Sequence, residues 1–533
     1  MRKLATIILA SLFFTTAVAQ NTVINETQLR KLQQAEFYIS HYYVDSLYDE
    51  KLVDAAIEGM LKQLDPHSTY IKAKDVERTT ENLNGSFEGI GVQFNMVEDT
   101  LVVVQPVSGG PSERMGIMAG DRIVSVNDTS IAGVKMSKDE IMTRLRGPKG
   151  TQVKLGVIRP GIKGVNTFMV TRDKIPVYTI DAHFMIDESI GYIRIGSFGQ
   201  TTYDEFMTAV QELKDKGMKR LVIDLQSNGG GYLQTAVKLS NEFLPKEEVI
   251  VSQKGNTSIA QFTQAYKADG NGTLCDLPVV VLVDSYSASA SEILTGAFQD
   301  NDRGVVVGRR TFGKGLVQRP FELIDKSVIR LTTAHYYTPT GRCIQKPYEM
   351  GNSKSYQKDM EDRLNSGELT NIDSIHFDDS LKYETKHLKR TVYGGGGIMP
   401  DYYVPLDTTL YTKLHREMSA KGCINTTVIK YLDNHRKRFN KNYKTFEQYV
   451  DSYNVENEVY GMLKAEATKA EISIEDSEFE NCKPMLEVQL KALIARDLWD
   501  MNAYFQIANS TNPIFRKGLE IIKTSEPDDI MRR

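Results

Sequence analysis

The sequence predicts a multidomain α/β protein: N-terminal helices, a small mostly-β domain, an α/β core and a helical C-terminal extension. Three observations carry that prediction. A chain of 533 residues is too long for a single hydrophobic core. Residues 84–175 change to short β-branched runs punctuated by glycine, with only two helix-like pieces. Residues 176–345 then alternate near-continuous apolar runs with helical stretches, as in a buried, partly parallel sheet.

Taken in chain order, Arg2 and Lys3 precede an apolar run from Leu4 to Phe14, and Ala17-Val18-Ala19 fits a small-x-small cleavage site before Gln20. We read residues 1–19 as a cleaved secretory signal, so the expected location is exported, and periplasmic in a Gram-negative bacterium. The apolar run is short for a bilayer span, and no cysteine follows the cut to suggest a lipid anchor. Residues 20–83 form a helical region. Leu29, Leu32, Ala35 and Ile39 recur at helical spacing, as do Leu52, Ala55, Ala56, Met60 and Leu64, until Asp65-Pro66-His67-Ser68 breaks the second helix.

The domain at 84–175 resembles a PDZ domain. Gly89-Ile90-Gly91-Val92 looks like a loop that binds a peptide carboxylate, and the spacing of Pro111-Ser112, Gly116-Ile117, Gly120-Asp121, Ile123 and Val126-Asn127 is the more specific half of the match. Glycines let successive backbone N–H groups face one anion, and an open strand edge pairs with an extended peptide. A lone Gly-x-Gly would be a plain turn.

The core is placed at 176–409. Expected strands at Ile190–Ile195, Arg220–Leu225, Pro278–Val283, Gly304–Gly308 and Val328–Tyr337 alternate with helices at Thr202–Lys216, Tyr232–Phe243 and Ala290–Gln299. Residues 346–392 are polar with few apolar repeats and read as an inserted surface excursion. Residues 410–533 are helical and charged, and their pattern does not choose between dimerising, docking a partner and bracing the core.

The chemistry centres on Ser289 and Lys314. Ser289 follows a buried strand and precedes a helix, a turn that exposes its side chain and aims helix N–H groups at the same point. A serine needs a base, and a lysine supplies one if burial holds it neutral. Phe312, Gly313, Leu316 and Val317 give Lys314 apolar neighbours. Gln318 is positioned to accept a hydrogen bond from the amine, and Thr311 to do likewise. The backbone N–H groups of Gly230 and Ala290 are the candidate oxyanion hole. Taken singly, an alternating Ser/Ala run is often only a helix cap, and Phe-Gly-Lys-Gly only a solvated turn.

These motifs together resemble the carboxy-terminal processing peptidases, or tail-specific proteases, of the serine–lysine type. The resemblance runs from about residue 29 to 405. It rests on Tyr43-Val44-Asp45, Leu64-Asp65-Pro66-His67-Ser68, the PDZ block, Asp224-Leu225 with Asn228 and Gly230-Gly231, Ser287-Ala288-Ser289-Ala290-Ser291-Glu292-Ile293, Thr311-Phe312-Gly313-Lys314-Gly315 with Val317-Gln318, and Tyr337-Thr338-Pro339 with Gly341-Arg342. It implies Ser289 as nucleophile, Lys314 as general base and Gln318 as its orienter, with Glu292 and Thr311 at supporting positions. It also implies a core related to the Clp protease and crotonase fold. The sequence departs from the pattern at Gln226, where the family usually has Arg, and at Gly229, where it often has Pro. The polar insertion and the long tail depart as well.

The expected activity is endoproteolysis of substrates held by a free C-terminus, with no cofactor and no metal. A net charge of −4 gives no reason to expect nucleic acid. An adaptor protein and a homo-oligomer stay open as partners. Arg146, in Leu-Arg-Gly-Pro-Lys-Gly, is a candidate gating contact, against the plainer reading of a surface arginine in a turn. His67 and His335 have no partner at a readable spacing. Cys275, Cys343, Cys423 and Cys482 form no C-x-x-C and read as isolated thiols. The rival readings are a catalytically silent PDZ adaptor and a crotonase-like acyl-CoA enzyme; export argues against the second.

Overall fold

The computed structural model describes residues 26–47, 49–409 and 412–524. The secretory leader expected at 1–19 lies outside them. No helix among the described residues is long and apolar enough to cross a membrane.

The core is a six-stranded sheet in the order Ile180–Met185, Ile190–Ile195, Arg220–Asp224, Val279–Val283, Val305–Gly308 and Tyr402–Tyr403. The first pair is antiparallel and every later pair parallel. Every residue of Val279–Val283 is buried because both faces of the sheet are covered. Helices Thr202–Asp215, Leu233–Asn241 and Ala290–Asp300 pack on one face through Phe206, Leu213, Leu239, Ile293 and Phe298. The other face is covered by the last described helix, Pro513–Thr524, whose Ile514, Phe515, Ile521 and Ile522 lie against Val222, Val280, Leu282 and Val307. Gly518 allows that approach: a Cβ there would stand 2.5 Å from Leu282 Cδ2. The far end of the chain therefore completes the core.

Parallel topology has a direct consequence for the site. Three consecutive strands, Arg220–Asp224, Val279–Val283 and Val305–Gly308, end on the same edge of the sheet. Each hands the chain to one of the glycine- or serine-rich loops singled out above. A second sheet, containing Val249–Gly255, Leu316–Glu322 and Val328–Tyr337, stands beside that edge. In it the Thr69–Ile71 strand pairs with Val328–Arg330 and brings the Asp65–Ser68 turn alongside.

The PDZ-like domain is an antiparallel sheet running Val92–Val97, Thr100–Pro106, Arg122–Val126, Gln152–Ile158 and Asn166–Thr171. Val92–Val97 is at the end of the path, so one of its edges is unpaired among the described residues. Helix Lys138–Leu145 lies near it, with the Lys138 ammonium 5.5 Å from the centre of the Phe94 ring. The domain joins the core through Ser86–Gly89 and Asp173–Pro176, which pair with each other.

Residues 346–392 are mostly exposed, but they carry regular structure. They hold helix Ser353–Asn365, with Tyr356 and Arg363 buried, and a short hairpin of Lys382–Glu384 with Thr391–Tyr393. Ion pairs brace the segment internally, Arg363 with Glu368 and Lys346 with Asp359, and others tie it to the core, Glu368 with Arg310 and Arg390 with Asp302 and Asp401. Buried ion pairs leave no apolar periodicity, which is why the segment reads as solvated. The extension, by contrast, has an apolar core of its own built around Met418, Val428, Tyr431, Tyr449, Leu463 and Leu490. It also reaches the PDZ-like domain: Ile429 packs with Val97 and Val102, Lys430 pairs with Glu98, and Arg122 with Asp433.

Candidate active site

Ser289 occupies the last position of the loop after Val279–Val283 and caps helix Ala290–Asp300. Its φ is 57° and its ψ −113°, a region sparsely populated by residues with a Cβ, which costs about 1–3 kcal/mol. The loop is over-determined enough to hold it. Asp284 Oδ1 accepts from the N–H groups of Ser227, Tyr286 and Ser287. Ser287 Oγ donates to Leu225 O at 2.8 Å, and Ser291 Oγ to Asn228 O at 2.9 Å. The Tyr336 hydroxyl donates to Ser289 O at 3.1 Å.

The glycine loop lies directly against this turn. A Cβ on Gly230, whose φ is +98°, would stand 2.8 Å from Ser289 Cβ and 2.9 Å from Ala290 N. Of the two expected oxyanion donors, Ala290 N–H is the first of its helix and so has no intrahelical acceptor. The Gly230 N–H is engaged: it donates to Asn228 Oδ1 at 2.8 Å. The Asn228 amide in turn donates to Ile195 O, so in this conformation Gly230 is held by its own loop and does not present an open donor.

Lys314 sits in the loop after Val305–Gly308, between Gly313 and Gly315. Burial lowers its ammonium to a pKa of about 8, assisted by the charge of Arg330 and opposed by Glu292 and Asp65. The lysine and serine loops are joined in two ways. Phe312 N–H donates to Ser287 O at 3.0 Å. The fully buried Glu292 carboxylate accepts from Ser289 N–H (2.8 Å) and Lys314 N–H (2.9 Å) on Oε2, and from Thr311 Oγ1 (2.6 Å) and Gly313 N–H (2.7 Å) on Oε1. Burial raises its pKa, against the pull of those four donors.

Two expected contacts to the amine take another form. The Thr311 hydroxyl is fully buried, donates to Glu292 and accepts from Ile398 N–H at 2.7 Å, so it is a strut of the loop. The Gln318 amide lies in the Leu316–Glu322 strand just past a bulge and donates to Thr332 Oγ1 at 3.5 Å. Thr332 Oγ1 donates onward to Asp65 Oδ1 at 2.9 Å. The Asp65–Ser68 turn thus belongs to the surroundings of the site. His67 is held near a pKa of 4 by burial and by the charge of Lys314, and its Nε2 meets the Tyr356 hydroxyl at 2.9 Å. Sequence reasoning dismissed His67 as a triad member and had no signal for Tyr356, whose partner is 289 positions away.

The unusual Gln226 has a specific setting. Its side chain donates to Asp224 Oδ1 and accepts from Asn512 of the extension, while Arg194 from the neighbouring strand pairs with Asp224 at 2.8 Å. Arg146 is not a free surface arginine. It pairs with Glu81 at 2.7 Å and lies 5.0 Å from the Phe87 ring centre, linking the PDZ-like domain to helix Ala73–Asn84. At the carboxylate loop, Ile90 is buried, Gly91 has φ +72°, and Gly89 ends the Ser86–Gly89 strand that enters the domain.

Family models match at residues 189–350 (peptidase family S41), 89–167 (PDZ domain), 13–75 (activating protease CtpB N-terminal domain) and 414–500 (a family of unknown function). The chain is 37% identical over 297 residues to carboxy-terminal processing protease CtpA of Bacillus subtilis, covering 56% of this chain and 62% of that one. It is 35% identical over 336 residues to CtpB of the same organism, covering 62% and 68%. Among solved structures, the photosystem II D1 C-terminal processing protease is similar at 26% identity, over 70% of this chain and 86% of that one, with a TM-score of 0.37.

Proposed function

Because the chain belongs to the family of carboxy-terminal processing peptidases, we propose that it is an exported serine endopeptidase that takes hold of a protein's free C-terminus and cuts upstream by a serine–lysine mechanism. The observation that carries this reading is the convergence of three strand ends. They deliver the Asn228–Gly231 loop, Ser289 and Lys314 to one place, with Glu292 bonded to both the serine and the lysine backbone.

In this reading the amides of Gly89 to Val92 hold the terminal carboxylate, and the peptide adds as a strand to the open edge of Val92–Val97. Neutral Lys314 takes the Ser289 hydroxyl proton as Oγ attacks the scissile carbonyl carbon. The oxyanion is stabilised by Ala290 N–H, joined by Gly230 N–H once that donor leaves Asn228. Collapse expels the amine, which receives its proton from Lys314, and leaves an acyl-enzyme. Lys314 then deprotonates a water that attacks the ester, and returns the proton to Ser289. Gln318 turns from Thr332 to orient the amine when substrate is bound. The Arg146–Glu81 pair reports PDZ occupancy to the core. An adaptor and a homo-oligomer remain compatible with this scheme.

The sign of the pH dependence follows. The base works only as the free amine, so activity is low below the folded pKa of Lys314 and rises as pH climbs through about 8 to a plateau. The first measurement compares wild type with Ser289→Ala and Lys314→Ala on an unfolded protein with a free or an amidated C-terminus, with products read by mass spectrometry. Cleavage by wild type alone, and faster on the free carboxylate, is expected. Cleavage that survives in both variants rejects the serine–lysine assignment. Tight binding with no cleavage favours the adaptor.

A further inference from the structure

The polar insertion touches the lysine loop at several points, and all of them act on the backbone or walls of that loop. Arg363 of helix Ser353–Asn365 donates to Thr311 O at 3.2 Å and Arg310 O at 2.7 Å, while its Nε pairs with Glu368, which also pairs with Arg310. Lys346 N–H donates to Gly313 O, and Gln345 Oε1 accepts from Gly315 N–H. The carbonyl and amide on either side of Lys314 are therefore both taken, by Lys346 at the start of the insertion and by Gln345 just before it.

Above the loop stands an aromatic wall. The Lys346 ammonium lies 4.0 Å from the Phe312 ring centre and 4.1 Å from that of Tyr356, and pairs with Asp359 at 2.8 Å. The Phe312 and Tyr356 rings meet edge to face at 6.0 Å. Tyr356 is latched from the other side by His67, through the 2.9 Å hydrogen bond and an edge-on ring contact at 5.1 Å. Phe312, Tyr356 and His67 so form a connected shell of rings beside the lysine loop, drawn from three distant parts of the chain.

We propose that Tyr356, supplied by the insertion, and His67, supplied by the N-terminal turn, are positioning residues for Lys314: their latch closes the shell that keeps water off the amine. This rests on Lys314 being the base. The groups facing it are Arg330, which disfavours its charge, Glu292 and Asp65, which favour it, and His67, which is neutral at working pH. Lys346 is neutralised by Asp359, and the Tyr356 phenol, raised by burial, keeps its proton. Replacing Tyr356 or His67 removes no formal charge at working pH, so solvent access to the shell is what the substitutions change.

The test is the pH profile of kcat/KM for the full-length enzyme on one peptide substrate, alongside thermal melts. Tyr356→Ala and His67→Ala each admit water, so the acid limb moves upward from about pH 8 toward the ordinary lysine value. Activity at neutral pH falls about tenfold for each unit of that shift and returns toward wild type at alkaline pH. Tyr356→Phe, which keeps the ring and loses only the hydrogen bond to His67, moves the limb less than Tyr356→Ala does. If Tyr356→Ala does not fold, His67→Ala, in the half-buried Asp65–Ser68 turn, carries the test alone. A rate lowered by the same factor at every pH in both variants, with the limb unmoved, overturns the proposal while leaving Lys314 as base. Full activity in Lys314→Ala overturns both.

Discussion

The two halves of the candidate site are built differently. The serine half is made inside the core. Its loop lies between a fully buried strand and a buried helix and is pinned by Asp284, Ser287, Asn228 and Ser291, all from adjacent strand ends. The lysine half is made partly from outside. Its loop is held by Gln345 and Arg363, 30 or more residues downstream, by Thr311 against Ile398, and by Glu292 and Ser287 from the serine side. The difference teaches where the enzyme is adjustable. A strained serine has to be fixed by close packing, whereas a lysine whose proton affinity depended on water exclusion would respond to any segment that opened or closed its shell. Segments joined by polar contacts also part at lower cost than a packed core.

Glu292 bonds both halves through four donors, so its loss should have the largest effect. Glu292→Gln puts an amide donor where four donors converge. We expect a loss of about 10²-fold or more in kcat and a destabilisation of about 2–4 kcal/mol, from the unpaired buried donors; equal kcat and melting temperature to wild type would show that the halves are not coupled through this carboxylate. Arg363→Met tests the lysine half alone. It leaves the carbonyls of Arg310 and Thr311 and the Glu368 carboxylate short of a partner, at a cost of about 1–3 kcal/mol. The expected signature is reduced turnover with normal labelling of Ser289 by a small, highly reactive acylating agent that needs little help from a base. Labelling that falls as far as turnover would mean the serine half depends on the insertion too. The smallest effect on stability is expected for Arg146→Ala, which removes one partly exposed ion pair at about 1 kcal/mol or less. Its informative readout is the rate ratio between free and amidated C-termini. An unchanged ratio with unchanged activity removes Arg146 from the gate.

What could be read from the residues follows the same division. Val279–Val283 and Arg220–Asp224 were legible because a strand buried on both faces must be apolar throughout. The turns after them were legible because glycines and small hydroxyl residues mark backbone that needs unusual conformations. That was enough to single out Ser289, Lys314 and the Gly230 loop. Glu292 was seen only as a supporting position, since four donors from two loops leave no trace in the spacing of one helix. Thr311 and Gln318 were correctly placed beside the lysine in sequence, but sequence proximity does not decide hydrogen bonds. Their polar groups face Glu292, Ile398 and Thr332.

The sequence by itself determined the α/β core, the β domain before it and the loops of the candidate site, because hydrophobic periodicity and turn composition are local consequences of burial and backbone sterics. Only the tertiary structure decided that the insertion props the lysine loop, that the Asp65–Ser68 turn reaches the same place, and that helix Pro513–Thr524 closes the back of the sheet. Those pairings join residues tens to hundreds of positions apart, several of them through buried charge, and a buried ion pair looks in sequence like two solvated side chains until the fold brings its members together.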